Sequence, residues 1–290
     1  MPFSINLLTD LQAMWQYDFM LHAFEAGTII AIVAGIVGYF VVLRRSSFAA
    51  HALSHVGFAG AAAAVLFGFD PILGLLLFTS GGGILMALLG RRASHRDVQI
   101  GTVLAFMLGL GVLFISLYSG YATEAYSILF GEILGISSND VLVTLLASLI
   151  ILSSIAVVYR PLLFASLDED VAEAKGLPML LLGINFMLLV AVATSIAVQV
   201  VGVLLIFSLM VTPAAIAEQF SKRPQQGIII SVSIALIATW TGLFVSFYEP
   251  YPVSFFITSI VFILYIFVIL FKKLKPHFRS EGSLSGSSIN

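Results

Sequence analysis

The run His51-Ala52-Leu53-Ser54-His55-Val56-Gly57-Phe58-Ala59-Gly60 decides how the rest of the chain is read. Small and apolar residues continue it through Ala61 to Ala64 and on to Phe69, and Asp70-Pro71 closes it. It predicts one membrane-spanning helix. The two imidazoles, four residues apart, fall on one face with one ring a turn above the other. Stripping an ionisable group of water is costly, so such groups inside a span either pair with neighbours or serve a path for an ion. Two readings of the pair stand side by side: polar groups hydrogen-bonded between packed helices, or neutral ring nitrogens that handle a transition metal.

Composition sets the frame. Of 290 residues 60% are hydrophobic and 10% are charged, against about 25% charged in a soluble domain. The mean hydropathy is +1.10, and the chain reads as an all-α, polytopic membrane protein. It has no cysteine, which excludes disulfides, thiolate metal sites and thiol redox chemistry. Metal chemistry would have to run on His, Asp, Glu and backbone oxygens. Asp10, Gln12, Gln16 and Asp18 make the first residues too polar for a secretory hydrophobic core.

Punctuation by charge, Pro and Gly divides the chain into about nine spans, with eight or ten as alternatives, at about 20 apolar residues each. Residues 1–20 read as an interfacial segment, with Leu7, Leu8, Leu11, Met14 and Trp15 at helical spacing. Residues 21–273 form one transmembrane domain, and 274–290 a disordered tail. The expected spans begin with Leu21–Leu43, the His51 helix, 71–90 and Val98–Tyr118. They continue with Val141–Val158, Met179–Val198, Val201–Phe220, Ile228–Phe247 and 253–271. The stretch 121–139 is too polar for a span and reads as a lateral or re-entrant helix. Residues 166–178 predict a short helix outside the membrane. Ser166 or Asp168 can cap its start, acids crowd its first turn, and Lys175-Gly176 closes it.

Lys and Arg gather after every second span, at Arg44/Arg45, Arg91/Arg92/Arg96, Arg160, Lys222/Arg223 and Lys272/Lys273/Lys275. By the positive-inside rule these ends face the cytoplasm, with the N-terminus outside and the C-terminus inside. The 166–178 helix then lies in the cytoplasm.

Several motifs stand in one order: Val42-Leu43-Arg44-Arg45, Ala52-Leu53-Ser54-His55 with Gly60, Asp97-x-x-Ile100-Gly101, and Ile128-Leu129-Phe130-Gly131. Ala172-Glu173-Ala174-Lys175-Gly176 and the run from Val201-Gly202 to Thr212-Pro213-Ala214-Ala215 follow. This order resembles the permease subunits of bacterial ABC importers for zinc, manganese and iron(II), over roughly residues 17–272. The resemblance implies a homodimer in the bacterial cytoplasmic membrane, with two ATP-binding cassette subunits beneath it and an extracytoplasmic metal-binding protein above. It implies zinc, manganese or iron as cargo, and ATP used by the partner subunit. In the family the metal-handling motif usually reads Asp-Ala-x-x-His, often followed by Pro-Gly. Here His51 holds the Asp position and Ala59 the Pro position, while His55 and Gly60 match.

With the resemblance in hand, His51 and His55 are read as metal ligands. Replacing a carboxylate by imidazole favours zinc over manganese. It also makes binding pH-dependent, since each ring must be neutral to ligate. Two ligands do not fill zinc's shell of four, and a symmetric dimer would bring four imidazoles to its axis. Glu25 and His22 sit one turn apart at the outer boundary, as interfacial groups or as an outer pathway. Gln199 is expected to bond to a neighbouring helix backbone. The resemblance makes the 166–178 helix the ATPase-docking element, with Asp168, Ala172, Glu173, Ala174 and Gly176 carrying it.

No Gly-x-x-x-x-Gly-Lys-Ser/Thr loop occurs, so ATP hydrolysis belongs to a separate subunit and the chain is not itself an enzyme. Two rivals remain. An intramembrane zinc metalloenzyme would need a third ligand and a general base, as in His-Glu-x-x-His. An ion-coupled secondary transporter would need inverted repeats and broken helices.

Overall fold

The computed structural model describes residues 14–90, 96–118, 133–249 and 251–274. Their regular structure is helical throughout. A turn at 14–17 leads into α1 (Asp18–Leu43), followed by α2 (Ser47–Phe67), α3 (Pro71–Leu89) and α4 (Arg96–Leu117). A 3-10 turn at Ile133–Gly135 precedes α5 (Ser138–Leu167) and the short α6 (Glu169–Ala174). Then come α7 (Met179–Val201), α8 (Val203–Phe220), α9 (Pro224–Tyr248) and α10 (Val253–Leu274). Among the described residues eight helices are long and apolar enough to cross a membrane. The ninth, α8, coincides with the seventh expected span and has a shorter apolar stretch, Leu205–Phe220. The expected lateral helix at 121–139 lies outside the described residues as far as 132, as do most of the N-terminal segment and the C-terminal tail.

Two expected boundaries move. The fifth span was expected to stop at Val158, ahead of Tyr159-Arg160-Pro161, yet α5 runs on through Pro161 to Leu167. Proline removes the donor that would serve the carbonyl of Val157. Val157 lies three residues before Arg160, at the polar end of the span, where the freed carbonyl can be served from outside the helix. Beyond the proline, Leu162 and Ala165 are buried and hold the added turns to the body. The second boundary is the break between α7 and α8. It is one residue, Gly202, at φ 83° and ψ 162°, a region open only to glycine.

The helices surround α1 and α7. α1 packs against α5, α7, α8 and α9, while α7 also meets α2, α3 and α5. α2 and its partners α3 and α4 form one flank, and α8, α9 and α10 the other. Lipid offers no hydrophobic drive for helices to associate, so close backbone approach and interhelical hydrogen bonds must hold them. At Gly60 and Gly74 the α2 and α3 backbones touch: a Cβ on either would strike the other's carbonyl oxygen. At Gly38 of α1 a Cβ would strike the carbonyl of Met210 in α8. Polar ties add to this. The Thr79 and Ser195 hydroxyls lie 2.5 Å apart between α3 and α7. Ser231 donates to the Gly35 carbonyl at 2.9 Å, and Trp240 Nε1 to Thr28 Oγ1 at 2.9 Å, both between α9 and α1.

These contacts predict a sharp contrast between two glycines. Gly60→Leu should destabilise the purified chain by about 1–3 kcal/mol or more, because overpacking here pushes on backbone. Gly81 has nothing within 4 Å of an added Cβ, so Gly81→Leu should leave the thermal midpoint in detergent unchanged. Equal midpoints for the two variants would refute the backbone contact.

Candidate functional site

α2 is walled in almost completely. From Ala49 to Ala64 every residue is buried except His51 and His55, which are half-buried. The Ala- and Gly-rich sequence lets α3, α4, α7 and α8 crowd the helix, and the two imidazoles form the one window along this stretch. Their ring centroids are 4.7 Å apart in a T-shaped arrangement at 84°. Ser54, between them, is buried and donates back to the Ala50 carbonyl at 3.2 Å. Its hydroxyl is therefore occupied within the helix and adds nothing to the window.

His51 also meets α8. Its ring centroid lies 4.7 Å from that of Phe207, at 63°. Its Nδ1 is buried and has no hydrogen-bond partner among the described residues. A buried polar atom without a partner costs about 1–3 kcal/mol, which counts against a purely structural, hydrogen-bonded pair. Phe207 did not stand out in the sequence, where it is one apolar residue in an apolar run. Only the packing of α8 against α2 brings it to the pair.

Among the described residues the pair stands by itself. No group of three or more His, Asp or Glu positioned to hold a metal occurs among the described residues. The third ligand that a metalloenzyme would require is therefore missing among them. Glu25 is exposed and His22 half-buried near the start of α1, and the structure does not gather them with His51 and His55. Gln199 Nε2 donates to Asp140 Oδ1 at 3.3 Å. Its partner is thus a carboxylate on α5 rather than the helix backbone expected from the sequence. Asp140 in turn accepts from the Ser137 backbone N–H at 3.1 Å in a reciprocal cap.

α6 is built as the sequence suggests, with one refinement. Asp168, not Ser166, caps it, accepting from the Val171 N–H at 3.0 Å. Ser166 instead donates to the Leu162 carbonyl inside α5. At the other end Leu177 N–H reaches the Ala172 carbonyl at 3.2 Å and Gly176 N–H reaches that of Glu173 at 2.9 Å. Gly176, at φ 81°, supplies the left-handed residue that this C-terminal motif requires. Ala172 is fully buried and anchors the helix, while Glu169, Asp170, Val171, Glu173 and Ala174 are exposed. Two open cavities flank α6. One, of about 570 Å³, is lined in part by Arg44, Met86, Asp170, Glu173 and Met179. The other, of about 560 Å³, includes Arg45, Ser166, Glu169 and Glu218.

Comparison with known proteins bears on both elements. Residues 16–272 match the ABC 3 transport family. The manganese import system permease protein ScaB of Streptococcus parasanguinis is 30% identical over 268 residues, spanning 91% of this chain and 95% of that one. The high-affinity zinc uptake system membrane protein ZnuB of Buchnera aphidicola is 29% identical over 267 residues, spanning 90% and 99%. Among solved structures, PsaBC from Streptococcus pneumoniae in complex with Fab superposes with a TM-score of 0.80 at 27% identity. That superposition covers 91% of this chain and 95% of the other.

The cap geometry generates a prediction. Asp168→Ala should cost about 1 kcal/mol of helix stability, whereas Asp168→Asn, which can still accept, should cost little. Hydrogen exchange across 169–174 should quicken in the first variant only. Equal exchange in both would show that the carboxylate oxygen does not hold α6.

Proposed function

Because this chain belongs to the ABC 3 transport family, we propose that it is the membrane permease of an ATP-driven importer of divalent transition-metal ions, zinc ahead of manganese or iron. The observation that carries this reading is the window in α2. A helix buried from Ala49 to Ala64 opens at two imidazoles, one of them with a buried nitrogen that no described residue satisfies. The ion is cargo, so a site of few ligands completed by water suits it: binding must be good enough to enter and weak enough to leave. Relatives named for manganese and for zinc support the class of cargo. The preference for zinc rests on His51, where nitrogen replaces the carboxylate that suits manganese.

The permease works as a homodimer in the cytoplasmic membrane, with a metal-loaded binding protein outside. Two ATP-hydrolysing subunits engage α6 on the inside. That orientation, with the N-terminus outside, follows from the basic residues at the ends of α1, α8 and α10. Glu25 and His22 stand at the outer mouth as groups the ion meets first.

Competitive uptake of labelled zinc and manganese tests the cargo reading. His55→Ala should abolish uptake of both metals. His51→Ala should cripple zinc uptake, and His51→Asp should remain active while gaining manganese relative to zinc. An unchanged metal ratio in His51→Asp would remove position 51 from selectivity. Undiminished uptake by His55→Ala would remove the pair from the path.

Docking is tested at the exposed acids. Arg at Gly176 would strain a left-handed backbone and so confuse docking with folding. Asp170→Arg and Glu173→Arg avoid this, because both side chains are exposed. Each should weaken co-purification with the ATPase subunit while leaving the yield and thermal midpoint of the permease intact. Undiminished co-purification of the double variant would place docking elsewhere.

A further inference from the structure

α8 carries an open face of unusual composition for a helix in a membrane. Phe207, Ser208, Val211, Thr212, Ala215 and Gln219 are half-buried and Glu218 is exposed, whereas Leu205, Ile206, Leu209, Met210, Ala214, Ile216 and Ala217 are buried. At about 100° per residue these open positions fall within roughly 140° of the circumference and the buried ones outside it, with only the terminal Phe220, 53% exposed, breaking the pattern. α10 offers the comparison. α10 exposes Phe255, Phe262, Ile263, Phe267, Leu270 and Phe271, as a surface bathed in lipid should. The open face of α8 carries hydroxyls, as α10 does at Ser254, Thr258 and Ser259, but adds an amide and a carboxylate that α10 lacks, groups that are expensive against hydrocarbon and at home beside water.

Two further observations give this face its ends. At one end Phe207 touches His51, so the face begins where the α2 window opens. At the other, Glu218 lines the cavity shared with Arg45, Ser166 and Glu169 beside α6. The window thus adjoins one end of the face and the cavity the other.

We infer that the open face of α8 is the inner wall of the ion's path. Ser208 and Thr212 offer hydroxyl oxygens in place of water as the ion leaves the His51–His55 window, and Glu218 marks its exit into the cavity beside α6. Such oxygens replace hydration without holding the ion tightly. Phe207, packed on His51, stands at the junction and must move aside for passage. The inference rests on the import reading above and adds to it the residues of the inner leg.

The chain contains no cysteine, so single cysteines can be read without altering the background. The full chain, assembled with its ATPase in inside-out membrane vesicles, is given cysteine in turn at 208, 209, 210, 212, 214 and 215. Each variant is exposed to a water-soluble cationic methanethiosulfonate and to a lipid-soluble neutral one. The expected pattern is labelling by the cationic reagent at 208, 212 and 215, and none at 209, 210 and 214. Modification at 208 and 212 should also stop uptake, read in these inverted vesicles as ATP-driven release of metal preloaded in the lumen with the binding protein, relative to each variant's own unmodified rate. The labelling is read independently of transport, so a variant that loses uptake still reports.

Labelling at 208 and 212 by the lipid-soluble reagent alone would overturn the inference, making this a lipid-facing surface. Cross-linking between copies without labelling would overturn it too, making the face a closed dimer contact. Labelling at all six positions would deny the face its periodicity, and labelling without effect on uptake would deny it the path. Should the parent chain carry no metal, the import reading fails. Should it carry metal while 208 and 212 stay unlabelled, only the inner wall fails.

Discussion

Backbone approach around α2 is the constraint on which the rest depends. Because Gly60 and Gly74 let α2 and α3 meet with no side chain between them, and because alanines line most of the helix, its neighbours close over nearly all of it. What they leave open is defined by what they cannot cover. His51 and His55 reach the surface while Leu53, Val56 and Ala59 do not. A bulkier α2 would hold its neighbours off and expose a broad face. The small residues therefore make the window narrow as well as making the bundle close. Its energetic counterpart is the His51 Nδ1, buried without a partner among the described residues, as are the Thr144, Thr194 and Thr239 hydroxyls elsewhere in the bundle.

The His51–His55 window and α6 are joined through covalent and packed neighbours rather than across open space. Asp168 serves both as the C-cap of α5 and as the N-cap of α6, so the two helices share one residue. α5 packs on α1 and α7, and α7 passes into α8 through Gly202 alone. Gln199, three residues before that break, is tied to Asp140 at the start of α5. On the other side Lys272 of α10 donates to the Gln219 carbonyl at 2.7 Å, holding the end of α8. Arg44 lies over the Phe186 ring at 5.1 Å and lines the larger cavity beside α6. A displacement of α6 has stiff neighbours to move, and those neighbours carry the His window and the α8 face.

Much of this was legible in the sequence, for physical reasons. Span positions follow from hydrophobic runs interrupted by Arg, Lys, Gly and Pro, and α2 was legible down to the face its imidazoles share. The caps of α6 were legible because Asp, Gly and the acids between them act locally. Pro161 misled, since its missing donor matters only where the carbonyl it would have served cannot be served from outside the helix, and Val157 lies at the polar end of the span. Gln199 misled as well: its partner, Asp140, lies 59 positions away, beyond what local spacing reveals. The contact between Phe207 and His51 was invisible for the same reason. The α8 face is the intermediate case. Ser208, Thr212 and Gln219 recur at helical spacing, but in a chain 60% hydrophobic that signal gains meaning only once burial separates one side of the helix from the other.

The central claim is that the ion binds the two imidazoles. X-ray absorption of zinc bound to the permease in lipid nanodiscs tests it most directly. Ligation by His51 and His55 requires nitrogen scatterers at about 2.0–2.1 Å with the outer-shell signature of imidazole, and loss of that signature in His51→Ala/His55→Ala. A first shell of oxygen alone, or an imidazole signal that survives the double substitution, would contradict it.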